Sequence, residues 1–340
     1  SNKQRAASSN DDLFQRAAQM TDSDLAYTPA TELVDDIRAK RLSPVELTQA
    51  TLARIESLNP ALNIFVTLTA ERALEEAREA ERAVLAGETL GPLQGIPYTL
   101  KELVNVAGLP ATGGSRIFET RVPTHDAPVA TRLKAAGGVL LGKTTVPEFG
   151  WKGCGDSPLT GITRNPWNPE MNAGGRSSGA AVGAAAGMGP LHQGSDGAGS
   201  VRIPAAFCGV YGLKPSYGRI PNHPTTNNDN TSHLGPLTRT VADAALMLSV
   251  MAGPHDWDNS SLEGAPADYV GRLGEGIRGL KIAFSPTLGG LRVDPEVAAL
   301  VRAAVPAFEA QGAVVEEVDD LGWGETADLI RLFWSAHEAG

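Results

Sequence analysis

From residue 95 onward, short apolar runs alternate with segments of helical character, and this alternation constrains the fold more than any other feature. Gly95-Ile96-Pro97-Tyr98-Thr99-Leu100 reads as a strand that delivers Lys101, and 139–141, 191–194 and 280–284 read as further strands. Residues 126–136, 180–187, 241–251 and 297–311 read as helices. Strands interleaved with helices predict an α/β fold, a mixed and mostly covered β-sheet surrounded by helices. Upstream, Ser43-Pro44-Val45-Glu46 is a capping box with proline at the first helical position, opening a helix expected to end near Leu58, before Pro60. An apolar run at 64–68 suits a strand. Residues 70–86 suit an exposed helix with Arg72–Glu76 and Glu79–Arg82 pairs, stopped by Gly87. A chain of 340 residues can bury one large core. The expected organisation is a flexible leader over 1–24 and a single large domain over 25–340. Its best internal boundary is the Gly-, Pro- and Asp-rich stretch 254–276.

Charge and composition exclude several functions. A net charge of −10 repels nucleic acid and anionic membranes, so neither is expected as a partner. No apolar stretch approaches the ~20 residues of a membrane span. The polar start of the chain lacks the apolar core of a signal peptide, which predicts a cytoplasmic protein. The two cysteines, Cys154 and Cys208, cannot form a disulfide framework, and the scattered histidines show no metal-ligand spacing. A homodimer is the default oligomer.

Two motifs match patterns that their surroundings contradict. Residues 137–144 (Gly-Gly-Val-Leu-Leu-Gly-Lys-Thr) fit the phosphate-binding G-x-x-x-x-G-K-[ST] pattern. Their middle is an apolar strand, which cannot wrap a phosphate. Gly175-Arg176-Ser177-Ser178-Gly179 fits the G-x-S-x-G nucleophile elbow, but it follows the turn-forming Asn165-Pro166-Trp167-Asn168-Pro169 rather than a strand.

The chemistry concentrates in Asp196-Gly197-Ala198-Gly199-Ser200-Val201-Arg202-Ile203-Pro204. Small residues before a serine let successive backbone N–H groups turn inward as an anion-binding nest. Acyl transfer needs a nucleophile beside such donors. A tight turn between strand and helix explains the same residues equally well. A longer resemblance separates the two readings. Gly174-Gly175 followed by serines, an Ala/Gly helix, Gly194-Ser195-Asp196 through Ser200 to Gly209, and Gly212-Leu213-Lys214-Pro215 together resemble the amidase signature family. The segment ending Lys101-Glu102, then Thr112-Gly113-Gly114-Ser115, Leu141-Gly142-Lys143-Thr144 and Thr163-Arg164-Asn165-Pro166-Trp167-Asn168, follow in family order from about residue 28.

The resemblance implies a Ser–cis-Ser–Lys amidase that hydrolyses a small or aryl amide to acid plus ammonia or amine. Ser200 would attack the carbonyl and Lys101 would be the ultimate base, with a pKa lowered by burial. Backbone amides around Gly197, Ala198, Gly199 and Ser200 would hold the oxyanion, and no metal or organic cofactor would be required. Cys154, Gly155 and Asp156 would line or support the substrate pocket.

The sequence also departs from the family. The bridging serine normally follows the glycine pair directly, where this chain has Arg176. A guanidinium cannot relay a proton. Three explanations stand: the loop shifts so that Ser177 bridges, which is preferred; the chain is an impaired variant; or Arg176 binds a substrate carboxylate in the pocket. Ala198 stands where glycine is usual, and a positive φ there would strain it by about 1 kcal/mol or more. Family members continue well past the equivalent of Gly340; if the chain ends there, core and pocket are incomplete. Two alternatives to the amidase remain. One is an amidotransferase A-subunit, against which Ile203 stands in place of that group's glutamine. The other is a degenerate member that binds without hydrolysing.

Overall fold

The structure is a computed structural model that describes residues 22–224, 231–318, 321 and 326–338. Residues 1–21 of the expected leader lie outside the described residues; 22–24 open helix α1 (Asp22–Tyr27). The chain divides into two compact units between Val270 and Gly271.

The first unit is built on a six-stranded sheet. Its strands are β1 (Phe65–Leu68), β2 (Pro97–Lys101), β3 (Val139–Thr144), β4 (Leu191–Asp196), β5 (Tyr211–Gly212) and β6 (His233–Thr238), in the order β1-β3-β2-β4-β6-β5. The central trio β3, β2 and β4 is parallel, and β1, β6 and β5 join antiparallel. Alternate residues of β3 show how it is covered. Val139 and Leu141 enter one hydrophobic cluster with Ala180 and Val182, and Leu140 enters another with Leu33, Leu133 and Met247. Because side chains alternate across a strand, helices cover both faces. The sheet is therefore mixed and enclosed, an α/β architecture.

Local chemistry sets the helices. In α2 (Ala30–Arg38), Leu33 and Ile37 are buried one turn apart. At the start of α3 (Pro44–Leu62), Ser43 Oγ accepts from the N–H groups of Val45 (3.0 Å) and Glu46 (3.2 Å). The sequence predicts a stop before Pro60, but the helix carries Pro60 in its last turn. It ends instead at Asn63, which adopts φ 55° while its N–H bonds Asn59. α4 (Ala70–Ala86) carries the Arg72–Glu76 ion pair at 2.8 Å and stops at Gly87. α5 (Pro128–Ala135) and α8 (Val241–Met251) pack on the Leu140 side of the sheet.

Helix α6 (Ser178–Ala185) approaches the sheet more closely than ordinary side chains allow. A Cβ at Gly179 would lie 2.5 Å from Thr145 Oγ1, and one at Gly183 would lie 2.6 Å from His192 Cε1. α7 (Arg202–Cys208) follows the turn that leaves β4. The 137–144 motif is resolved by this topology: its middle is β3, and Lys143 is buried, donating to Pro110 O at 2.9 Å. The 175–179 motif leaves a loop, not a strand, before α6.

The second unit, taken by itself, contains β7 (Lys281–Phe284) parallel to β8 (Val314–Glu317), connected through α9 (Pro295–Ala310). Arg302 of α9 pairs with Glu317 at 2.6 Å. α10 (Thr326–Glu338) follows. Among the described residues, no helix is long and apolar enough to cross a membrane.

Candidate active site

Strand pairing assembles the site. β2 and β4 run parallel, with Thr99 beside His192. Two residues on, β2 ends at Lys101; three residues on, β4 presents Ser195. Lys101 Nζ donates to Ser195 Oγ at 2.8 Å and to Ser195 O at 3.4 Å. Lys101 is 1% exposed. Burial and, after it, the Arg176 charge bring its pKa down to about 7, against the pull of Asp196 and Glu102.

Asp196 shapes the turn that follows. Its carboxylate accepts from Gly199 N–H (2.7 Å) and Val201 N–H (3.2 Å). It also takes two bonds from the Arg202 guanidinium, both at 2.9 Å. Burial alone would raise its pKa, but Arg202 and these N–H donors hold it down at about 2. The turn carries Ser200, which is 3% exposed. Ser200 lines a cavity of about 310 Å³ together with Gly197, Lys101, Ser195 and Arg176.

The predicted oxyanion donors separate under this geometry. The Gly199 N–H is held by Asp196. Among the described residues, the N–H groups of Gly197, Ala198 and Ser200 meet no acceptor. The strain foreseen at Ala198 does not arise. The positive φ of the turn, 101°, falls on Gly199, and Ala198 keeps an ordinary negative φ.

Arg176 and Ser177 lie beside this group. The peptide bonds on both sides of Arg176 are trans. Arg176 is nearly buried, and its Nη2 donates to Trp151 O at 2.7 Å. Ser177 is fully buried, and its hydroxyl works on the main chain of Ser195: it accepts from Ser195 N–H and donates to Ser195 O, both at 3.2 Å. The Ser177 N–H in turn donates to Ser200 O at 3.1 Å.

Cys154, Gly155 and Asp156 do not line the cavity. Cys154 Sγ donates to Asp156 Oδ1 at 3.0 Å, and Asp156 pairs with Lys152 at 2.7 Å. A Cβ on Gly155 would lie 2.6 Å from Ser178 Cβ, so at Gly155 the loop lies against the start of α6.

Sequence reasoning misses three contributors. Ser195 carries no local mark beyond its place in Gly194-Ser195-Asp196. Glu102 is fully buried directly after Lys101; it accepts from Thr112 N–H and Thr112 Oγ1 and, at 2.8 Å, from Gly113 N–H. These bonds hold the loop that bears the cavity residues Ala111 and Gly113. The third is an aromatic wall. Phe118 and Phe149 meet edge-to-face at 5.8 Å and, with Leu103 and Ala111, give apolar surface to a cavity that Lys101, Arg121 and Arg176 also line. Among the described residues, no group of three or more His, Cys, Asp or Glu side chains could hold a metal ion.

A buried, readily deprotonated lysine bonded to a hydroxyl, beside a serine on a turn of unpaired N–H groups, suits acyl transfer. Comparison with known proteins agrees. The family model described as Amidase matches residues 46–338. An acylamidase of Rhodococcus erythropolis is 45% identical over 317 residues, covering 93% of this chain and 66% of the relative. The A-subunit of the glutamyl-tRNA(Gln) amidotransferase of Moorella thermoacetica is 42% identical over 295 residues, covering 86% and 61%. Among solved structures, a bacterial aryl acylamidase of the amidase signature family aligns with TM-score 0.83 at 36% identity, covering 88% of this chain and 62% of that one. The peptide amidase of Stenotrophomonas maltophilia aligns with TM-score 0.77 at 34% identity, covering 86% and 62%. The chain thus spans less than two thirds of the length of these relatives.

Proposed function

The chain belongs to the amidase signature family, and on that premise we propose that it hydrolyses a carboxylic amide, small or aryl, to an acid plus ammonia or an amine. The observation that carries this reading is Lys101: a buried amine with a pKa near 7, 2.8 Å from a serine hydroxyl, in one cavity with Ser200. A lysine in that state can accept a proton near neutrality.

In this mechanism Ser200 Oγ attacks the amide carbonyl while its proton passes toward Lys101. The carbonyl oxygen becomes an oxyanion that the unpaired N–H groups of Gly197, Ala198 and Ser200 can meet. Gly199, whose N–H is engaged by Asp196, supplies the shape of the turn instead. The C–N bond breaks, the leaving nitrogen takes the proton back, and water hydrolyses the acyl-enzyme on Ser200. Leu103, Phe118 and Phe149 offer an apolar surface suited to an acyl or aryl group. The reading takes a small-molecule amide as the ligand and the cytoplasm as the location.

The test is release of nitroaniline from para-nitroacetanilide. The wild-type chain should release it, and Ser200→Ala, folded by circular dichroism, should not; turnover by the variant would remove Ser200 as nucleophile. A second reading, an amidotransferase A-subunit, draws on the identity to that group. Ile203 speaks against it, and it predicts turnover only with partner subunits added.

A further inference from the structure

We propose that Ser195 is the hydroxyl that carries the proton between Ser200 and Lys101, filling the post that Arg176 cannot. The inference rests on the amidase reading above and assigns its missing step. A guanidinium has five donors and no acceptor, so Arg176 cannot take a proton from Ser200. Ser177 offers a hydroxyl, but both of its contacts fix the Ser195 peptide, accepting from Ser195 N–H and donating to Ser195 O. Ser195 Oγ is the hydroxyl in contact with Lys101 Nζ, at 2.8 Å. Ser195, Ser200 and Lys101 line the same cavity.

The neighbouring residues divide the labour. Ser177 holds the Ser195 main chain, so the hydroxyl of Ser195 is presented to Lys101 from a fixed backbone. The charges that act on Lys101 are Arg176, Asp196 and Glu102; Arg176 favours the neutral amine, and the two carboxylates favour the ammonium. The residue at the bridging position thus serves the base by its charge while the neighbouring strand supplies the hydroxyl.

The proton balance closes. The neutral Lys101 amine takes the Ser195 hydroxyl proton, and Ser195 Oγ takes the Ser200 proton, directly or through one cavity water. Ser200 Oγ then bonds the carbonyl carbon, and the carbonyl electron pair moves to oxygen. When the C–N bond breaks, the Lys101 ammonium returns a proton to Ser195, which passes its own to the leaving nitrogen. In deacylation a water proton follows the inward route, and Ser200 recovers its hydroxyl as the ester bond breaks.

The test compares kcat/KM for para-nitroacetanilide from about pH 5 to about pH 10 in wild type, Ser195→Ala, Ser195→Thr, Ser195→Val and Ser177→Ala. Ser195→Ala and Ser195→Val should lose about 100- to 10,000-fold and leave a rate that climbs with hydroxide instead of levelling once Lys101 has lost its proton. Ser195→Thr keeps the hydroxyl and should stay within about tenfold with the wild-type profile. Ser177→Ala should lower the melting temperature and keep that profile. The Thr/Val pair has one shape with and without the hydroxyl, so it carries the test even if Ser195→Ala does not fold. Wild-type rate and profile in Ser195→Val, or the hydroxide-dependent profile in Ser177→Ala alone, would overturn the assignment. Turnover by Ser200→Ala would contradict the amidase reading instead, and an inactive wild type would overturn both.

Discussion

Replacing Lys101 by methionine should stabilise the protein below neutral pH while abolishing amide hydrolysis. Burial, reinforced by Arg176, brings Lys101 from 10.5 to about 7 against the pull of Asp196 and Glu102. At about 1.36 kcal/mol for each pH unit, that fall costs the protonated folded state about 5 kcal/mol. Below about pH 7 both folded and unfolded chains carry the proton, and the full penalty applies. From there to 10.5 only the unfolded chain holds it, so stability rises with pH; above 10.5 the penalty is gone. Methionine fills similar space without charge but forfeits the Nζ–Ser195 Oγ bond, at about 1–3 kcal/mol. The expected gain is about 2–4 kcal/mol near about pH 6; it falls as pH rises and becomes a deficit of about 1–3 kcal/mol once the penalty is gone. Urea unfolding followed by tryptophan fluorescence at about pH 6, 8 and 10 measures it. A Lys101→Met variant less stable than wild type at about pH 6, or a difference that does not change with pH, would refute the reasoning.

Two further outcomes follow from neighbouring charges. Asp196→Asn should cost about 2–4 kcal/mol near neutral pH, because Arg202 loses its charged partner and an NH2 donor replaces one of the two oxygens that accept from the 199–202 turn and Arg202. The Asp196 pKa lies below its ordinary 3.8, so the difference from wild type in thermal melts should be full above that pH and shrink as pH falls through about 2. Arg176→Gln should let the Lys101 pKa rise, moving the acidic limb of kcat/KM to higher pH; an unmoved limb would show that Arg176 does not act on the base.

Residues whose role is set locally were legible in the sequence. The apolar run before Lys101 marks β2, and the small residues before Ser200 mark the turn after β4. Ser195 was not legible, because its contact with Lys101 arises from the parallel register of two strands about 90 residues apart, which no local pattern encodes. Cys154, Gly155 and Asp156 stand near the glycine-serine segment in sequence, yet none lines the cavity, and Gly155 lies against Ser178 at the start of α6. The Ala198 substitution reads as strain only until the turn places its positive φ one residue later, on Gly199. At Pro60, a local rule predicts a break, and the left-handed Asn63 sets the end of the helix instead.

The most direct test of Ser200 as an activated nucleophile is labelling with a fluorophosphonate, read by intact mass and peptide mapping on wild type and Ser200→Ala. A single adduct on Ser200, absent from the variant, is the predicted result and would show that nucleophile, base and oxyanion donors act together. An unlabelled wild type, or an adduct on another serine, would contradict the account.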